Sequence, residues 1–353
     1  MRAIEPIPET MQAAVLHAYD GAPDSLRVET RPVPKPERGQ VLVKMSAAPI
    51  NPSDLMFLKG FYGVQKPLPI VPGWEGAGRV IATGDDWLSR QLLGKRVACG
   101  APNQHDGTWA EYMLTSAARC VPLSDAIPDE QGAMLIVNPL TAWALMDIAR
   151  THRARAFVQT AAASAVGRML VRLSLHFGIT GVHIVRREEQ AELLRSMGAQ
   201  HILNSESPQF EAQLREHCHT LDARIAFEAV SGALAARVLH AMPDDSRLVL
   251  YGALSESPLM ADPRDLIFQR KRVEGFWLAD WLGNRSVIGQ LRLAKQIQNA
   301  LNDLLKSEIA AQYPLSDIHR ALQDYQASMT AGKRLIRMDN RTPQGVDFAA
   351  DWV

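Results

Sequence analysis

Hydrophobic positions recur along this chain with two different periods, and the change of period divides it. Up to about residue 124, short apolar runs alternate with Gly and Pro turns, at residues 11–16, 25–30, 40–46, 79–82, 94–98 and 107–112. Runs of that length between turn residues predict strands, and so many of them predict a mainly β, barrel-type domain. Pro32, Pro34 and Pro36 interrupt the chain before the third run. Asn51-Pro52-Ser53-Asp54 predicts a turn into a helix, with Ser53 or Asp54 as its cap.

Beyond Pro128 the rhythm becomes helical, with buried runs between. Helices are expected over 129–138, 139–149, 188–197, 234–241 and near 209–217. Strands are expected at 156–160, 182–185, 201–203, 223–227, 247–251 and 273–278. This alternation predicts a doubly wound parallel sheet. Residues 286–306 read as one long amphipathic helix, and 313–337 as a helix and strand returning to the first domain. The expected domains are 11–128, 129–279 and a returning segment 280–353. The first ten residues read as a loose extension, and 340–353 as a frayed polar tail in which Trp352 could dock.

Residues 156–187 carry the first chemical signal. They read strand, small-residue turn, helix ended by Gly178, and second strand, a βαβ unit of about 30 residues. A small turn lets backbone approach a pyrophosphate, and the helix start then offers N–H groups and a positive dipole end. Against the dinucleotide fingerprint G-x-G-x-x-G, the turn reads Ala162, Ala163, Ser164, Ala165, Val166, Gly167, so only the last glycine is kept. An unliganded βαβ unit is the other reading of this turn alone. NAD-binding units carry an acid about 20 residues on; here Arg186 and Arg187 stand there. A guanidinium fork suits a 2′-phosphate, so NADPH is the expected cofactor. Two solvated arginines are the alternative.

Composition narrows the classes of function without choosing one. The chain's 38 Lys+Arg and 38 Asp+Glu balance and are spread out, so neither nucleic acid nor an acidic membrane surface is expected as partner. No apolar run approaches the ~20 residues of a membrane span. The N-terminal MRAIEPIPET lacks the apolar core of a secretory signal. Cys99, Cys120 and Cys218 show no metal-ligand spacing and fit a reducing, cytoplasmic setting without disulfides.

Several short motifs stand in a telling order: Pro49-Ile50-Asn51-Pro52-Ser53-Asp54, Gly60-Phe61-Tyr62-Gly63, Pro72-Gly73-Trp74-Glu75-Gly76, Gly107-Thr108-Trp109, Asn138-Pro139-Leu140-Thr141-Ala142 and Gly275-Phe276-Trp277-Leu278. Together they resemble the medium-chain dehydrogenase/reductase superfamily over residues 11–339. More narrowly, they resemble its zinc-free NADPH:quinone oxidoreductases and mitochondrial-type trans-2-enoyl thioester reductases. The resemblance implies an α/β protein with a GroES-like, β-barrel-type catalytic domain and a Rossmann domain, and a sheet-edge homodimer. Zinc enzymes of the superfamily place Cys where Asn51 stands and His where Trp74 stands, and neither residue present is a usual zinc ligand. The structural zinc lobe is absent from 97–108, and His105 and Asp106 read as solvated turn residues. No metal is therefore expected. Leu254–Ser257 replaces a glycine-richer loop of many relatives, and Ser164-Ala165 replaces a glycine pair.

Hydride transfer without a Lewis acid requires an acceptor that is already electrophilic, such as a quinone, an enone or an enoyl thioester. NADPH would carry the hydride, and a protein donor would stabilise the resulting oxyanion. The resemblance points to Tyr62 as that donor; packing in the barrel is its other reading. Asn51 would orient the nicotinamide or donate to the acceptor oxygen, unless it only shapes the turn before Pro52. For the cofactor, the resemblance and the βαβ unit together imply Thr141, Ala163, Ser164, Ala165, Val166, Gly167, Arg186, Arg187, Tyr251, Gly252, Phe276, Trp277, Leu278 and Lys333. The segment 276–278 could equally pack at a dimer edge. A non-catalytic NADPH-binding protein of crystallin type is the alternative function, and a zinc alcohol dehydrogenase is opposed by Asn51 and Trp74.

Overall fold

The computed structural model describes residues 1–338, and the expectations for 340–353 and Trp352 lie outside them. The chain divides into two compact units. One comprises residues 1–123, 311–327 and 334–338; the other comprises 124–310 and 328–333.

The first unit is built on strands. They are β1 (Arg2–Ala3), β2 (Thr10–Leu16), β3 (Leu26–Pro32) and β4 (Gln40–Pro49), then β5 (Glu75–Thr83), β6 (Arg96–Gly100), β7 (Tyr112–Ser116) and β8 (Cys120–Pro122). Helices α1 (Pro52–Leu58) and α2 (Trp87–Leu92) lie between them. Strand β4 organises the sheet. Along one edge its first half pairs with β7 and its end with β16 (Lys333–Arg337), while β5 lies antiparallel along its other side. Register shifts at Leu42/Val43 and Met45/Ala47 bend it, as bulges do at the rims of barrels. Of the segment expected to return from residue 280 on, 311–327 and 334–338 lie in the first unit, whereas 280–310 and 328–333 lie in the second.

Two local expectations are corrected, and one helix is added. Residues 1–10 do not hang loose: Arg2 and Ala3 pair with Thr83 and Ala82. Residues 107–111 form no strand, because they turn back on the 71–73 segment, with Gly107 N donating to Val71 O and Trp109 N to Pro72 O. A Cβ on Gly107 would lie 2.3 Å from Gly73 O, so only glycine allows that approach. Helix α2, capped by Asp86, has no counterpart in the pattern.

The second unit alternates as expected. Helices α3 (Asp129–Gly132) and α4 (Val137–Thr151) precede β9 (Ala156–Gln159), α5 (Ala165–Phe177), β10 (Thr180–Val185) and α6 (Glu188–Ser196). Then come β11 (His201–Asn204), α7 (Phe210–Thr220), β12 (Ile225–Glu228), α8 (Gly232–Ala241), β13 (Arg247–Leu250), α9 (Pro263–Ile267) and β14 (Arg272–Gly275). Helices α10 (Leu278–Gly283) and α11 (Val287–Ala300) complete it, before β15 (Ile309–Pro314) and α12 (Ile318–Ala327) lead to β16. The six strands lie in the order β11-β10-β9-β12-β13-β14, all parallel. That order reverses between β9 and β12, which is where such sheets open a crevice at the carboxyl ends of the strands.

Helix boundaries differ from the pattern in physically readable ways. Pro139 does not separate two helices but sits in the first turn of α4, where a missing N–H costs nothing. The long helix expected over 286–306 ends at Ala300. The strand expected to run to Leu278 ends at Gly275, and Leu278 opens a helix. Gly178 ends α5 in the left-handed region, at φ 67.

Candidate active site

In the first unit the chemistry gathers around the start of α1 and the crossing before β5. The N-cap of α1 is Asn51, not Ser53 or Asp54. Asp54 instead reaches back from the third helical position, and its Oδ2 accepts from Asn51 N at 2.7 Å. The Asn51 amide is turned to Glu75: Nδ2 donates to Oε1 at 2.9 Å, and both residues are buried. Asn51 is therefore more than a turn-former, since its side chain joins helix α1 to strand β5.

Trp74 lies beside this pair and is held by three neighbours. Tyr62 stacks on it with ring centroids 4.7 Å apart and planes tilted by 39°. Phe57 meets it edge-on at 5.2 Å. Lys66 places its ammonium 4.6 Å from the indole centroid. Tyr62 and Trp74 are half-buried, while Lys66 is 3% exposed. The Trp74 indole N–H is buried with no hydrogen-bond partner among the described residues. Tyr62 thus lies half-buried on an aromatic platform of the first unit. Glu75 and Lys66 are neighbours that the sequence did not single out, because their roles rest on contacts across 24 and 39 residues.

The second unit offers a different kind of site. Ser164 caps α5 by accepting from Gly167 N at 3.1 Å, and Arg168 N returns to Ser164 O. The N–H groups of Ala165 and Val166 begin the helix, where the backbone of a first turn makes no intrahelical bond. Gly167 allows the helix to approach the strand: a Cβ there would lie 2.4 Å from Ala162 O and 2.7 Å from Ala161 O. That is the packing role of the third fingerprint glycine. The turn's other demands are met without glycine. Ala161 takes a left-handed φ of 47, and Ala162 and Ala163 pack into a small core with Val185, Ala191 and Leu194. Ala161, Ser164 and Ala165 are the turn's half-exposed members.

Ala162 N donates to Ile184 O, which ties the turn to the end of β10. Arg186 and Arg187 follow that end directly and are exposed. Arg187 is the N-cap of α6, and its Nη2 lies 3.4 Å from Thr330 Oγ1. At the reversal point between β9 and β12, Thr160 Oγ1 donates to Glu228 Oε1 at 2.8 Å and accepts from Ala229 N. Glu228 also accepts from Val230 N and Ser231 N, and burial pushes its carboxyl above the usual range despite those bonds. This carboxylate was missed; an acid closing a buried strand is the signal that could have found it. Tyr251 follows β13, and its buried hydroxyl has no partner among the described residues. Gly252 passes close to Ala229, with a virtual Cβ 2.8 Å from that carbonyl.

The remaining candidates divide. Thr141 is buried in the second turn of α4. Phe276 N bonds Leu250 O, and Trp277, 41% exposed, caps α10 beyond the sheet edge. Lys333 is 3% exposed at the start of β16, unlike the two arginines.

The chain matches two family models, the alcohol dehydrogenase GroES-like domain over residues 37–125 and the zinc-binding dehydrogenase domain over 165–295. It is 30% identical over 333 residues to a mitochondrial enoyl-[acyl-carrier-protein] reductase of Xenopus tropicalis, covering 89% of this chain and 91% of the relative. Among solved structures it resembles a Mesorhizobium loti protein provisionally described as an NADPH:quinone reductase, at 37% identity and TM-score 0.86, covering 94% of this chain and all of the other. It also resembles mycobacterial Rv1454c complexed with NADPH, at 25% identity and TM-score 0.79, covering 93% and 99%.

Proposed function

The chain belongs to the medium-chain dehydrogenase/reductase superfamily, in its branch of quinone and enoyl thioester reductases, and on that premise we propose that it reduces conjugated carbonyl acceptors with NADPH. The acceptor is a quinone or a carbon–carbon double bond conjugated to a carbonyl, as in an enone or 2-enoyl thioester. One observation carries this reading. At the two positions where zinc relatives hold metal, Asn51 is engaged with Glu75 and Trp74 with Tyr62 and Lys66. An amide and an indole offer a metal nothing that a thiolate and an imidazole would. An acceptor already polarised by its own carbonyl suits such a site.

The second unit's residues fit a phosphorylated dinucleotide. The first turn of α5 would hold the pyrophosphate, and Arg186 and Arg187 the 2′-phosphate. Tyr251 and Gly252 lie at strand ends where the rest of the cofactor would lie. NADPH supplies a hydride when bound. Tyr62 then donates a hydrogen bond to the acceptor oxygen as it gains charge, which a phenol can do at neutral pH. Asn51, fixed by Glu75, orients the reacting groups. Exposed apolar side chains at β14 and beside it, including Phe268, Val273 and Trp277, support a homodimer formed along that sheet edge. The three free, buried cysteines fit a reducing compartment, and no helix among the described residues is long and apolar enough to cross a membrane.

The test is the rate of NADPH absorbance loss with a panel of quinones, enones and 2-enoyl thioesters. Turnover of one class with NADPH supports the proposal. Tight NADPH binding without oxidation by any of them would favour a binding protein instead.

A further inference from the structure

A lysine is rarely buried without a task, and Lys66 belongs to none of the motifs that identify the family. Its backbone is clamped twice by one phenol: Lys66 N donates to Tyr19 Oη at 2.8 Å, and that hydroxyl donates to Lys66 O at 2.7 Å. Tyr19 itself stacks edge-on against Phe57 at 5.3 Å. The side chain is as constrained as the backbone. Nζ donates to His105 O at 2.8 Å, lies 4.6 Å from the Trp74 centroid and 5.7 Å from that of Phe57. The Trp74 face that it covers belongs to the ring that also carries Tyr62. A fixed cation is therefore built into the aromatic platform of the candidate site, where zinc relatives hold their metal charge.

We propose that Lys66 is a positioning residue of this site: its ammonium fixes the Trp74 indole beneath Tyr62 and adds a positive field that favours charge on the acceptor oxygen. The inference rests on the reductase reading above. A cation on an indole face is held electrostatically and directionally, and a preorganised charge in a water-poor site acts more strongly than in bulk. Burial draws the ammonium down to about 8, opposed by the charges of Asp106 and Asp54 and aided by Arg119. The proton is thus lost as pH rises through that value, and the field with it.

The experiment compares wild type, Lys66→Met and Lys66→Arg in kcat/KM against pH, with saturating NADPH and the best acceptor of the wild type. Wild-type kcat/KM is expected to fall above about pH 8. Lys66→Met loses about tenfold at neutral pH and loses this limb, with KM for NADPH unchanged. Lys66→Arg keeps most of the rate and moves the limb out of range, because a guanidinium does not titrate there. A residue that merely fills space would lower the rate equally at every pH. An unchanged rate and limb in Lys66→Met overturns the proposal, and so does an unmoved limb in Lys66→Arg should the Met protein fail to fold. Intrinsic fluorescence tests the contact without turnover. A titration near pH 8 in wild type that vanishes in Lys66→Met and Trp74→Phe supports the contact, and a flat wild-type titration overturns it. Failure of wild type to oxidise NADPH with any acceptor overturns the parent reading, and the fluorescence then decides the contact alone.

Discussion

The two halves of the chemistry are made of different material. In the second unit the turn before α5 offers backbone: N–H groups at a helix start, a glycine where Cβ cannot fit, and alanines packed inward. In the first unit the candidate site is made of side chains: an amide on a carboxylate, a phenol on an indole, an ammonium on the same indole. A backbone site tolerates exchange of small residues, so two of three fingerprint glycines can be absent while the geometry persists. A side-chain site has no such freedom, because under the proposed function each group would be the functional atom or its direct support.

Substitutions should therefore act differently in the two regions. The largest effect is expected for Tyr62→Phe, which removes one oxyanion donor: kcat falls by about 100-fold or more while the Kd for NADPH is unchanged. Steady-state kinetics beside a fluorescence titration of NADPH would separate the two quantities. Next comes Gly167→Val, whose Cβ would press on Ala162 O. Overpacking of about 1–3 kcal/mol should appear as a lower Tm and a weaker Kd for NADPH. Removing both guanidinium groups in Arg186→Ala/Arg187→Ala should reduce the preference for NADPH over NADH by about 10–100-fold. Equal loss with both cofactors would show that the arginines do not read the 2′-phosphate. The smallest change is Ser164→Ala, which removes a helix cap and should cost about 1 kcal/mol of stability, measured by denaturant unfolding. If that variant damaged turnover more than Tyr62→Phe, the division between backbone and side-chain sites would be wrong.

The same division explains what the sequence revealed. The parallel sheet was legible because the strands from β9 to β13 are short apolar runs between helices, with Gly178 marking one helix end by its left-handed backbone. The tight turn before α5 was legible because its small residues stand at a strand–helix junction, where Gly167 meets Ala162 O. Asn51 and Tyr62 stood out through their motifs, but Glu75, Lys66 and Glu228 did not. Glu228 meets Thr160 across 68 residues, and Lys66 meets His105 across 39; no local pattern encodes such a meeting. Residues 107–111 misled for a related reason. Their alternation suits a strand, yet the close approach of Gly107 to Pro72 and Gly73 takes them into a turn.

The central claim is that side chains, with no metal, prepare the acceptor for NADPH. It is tested most directly by steady-state NADPH oxidation, with a quinone or 2-enoyl thioester, by protein stripped of metal with a strong chelator. The account predicts the full rate after stripping and no gain from added zinc. A rate lost on stripping and restored by zinc would contradict it.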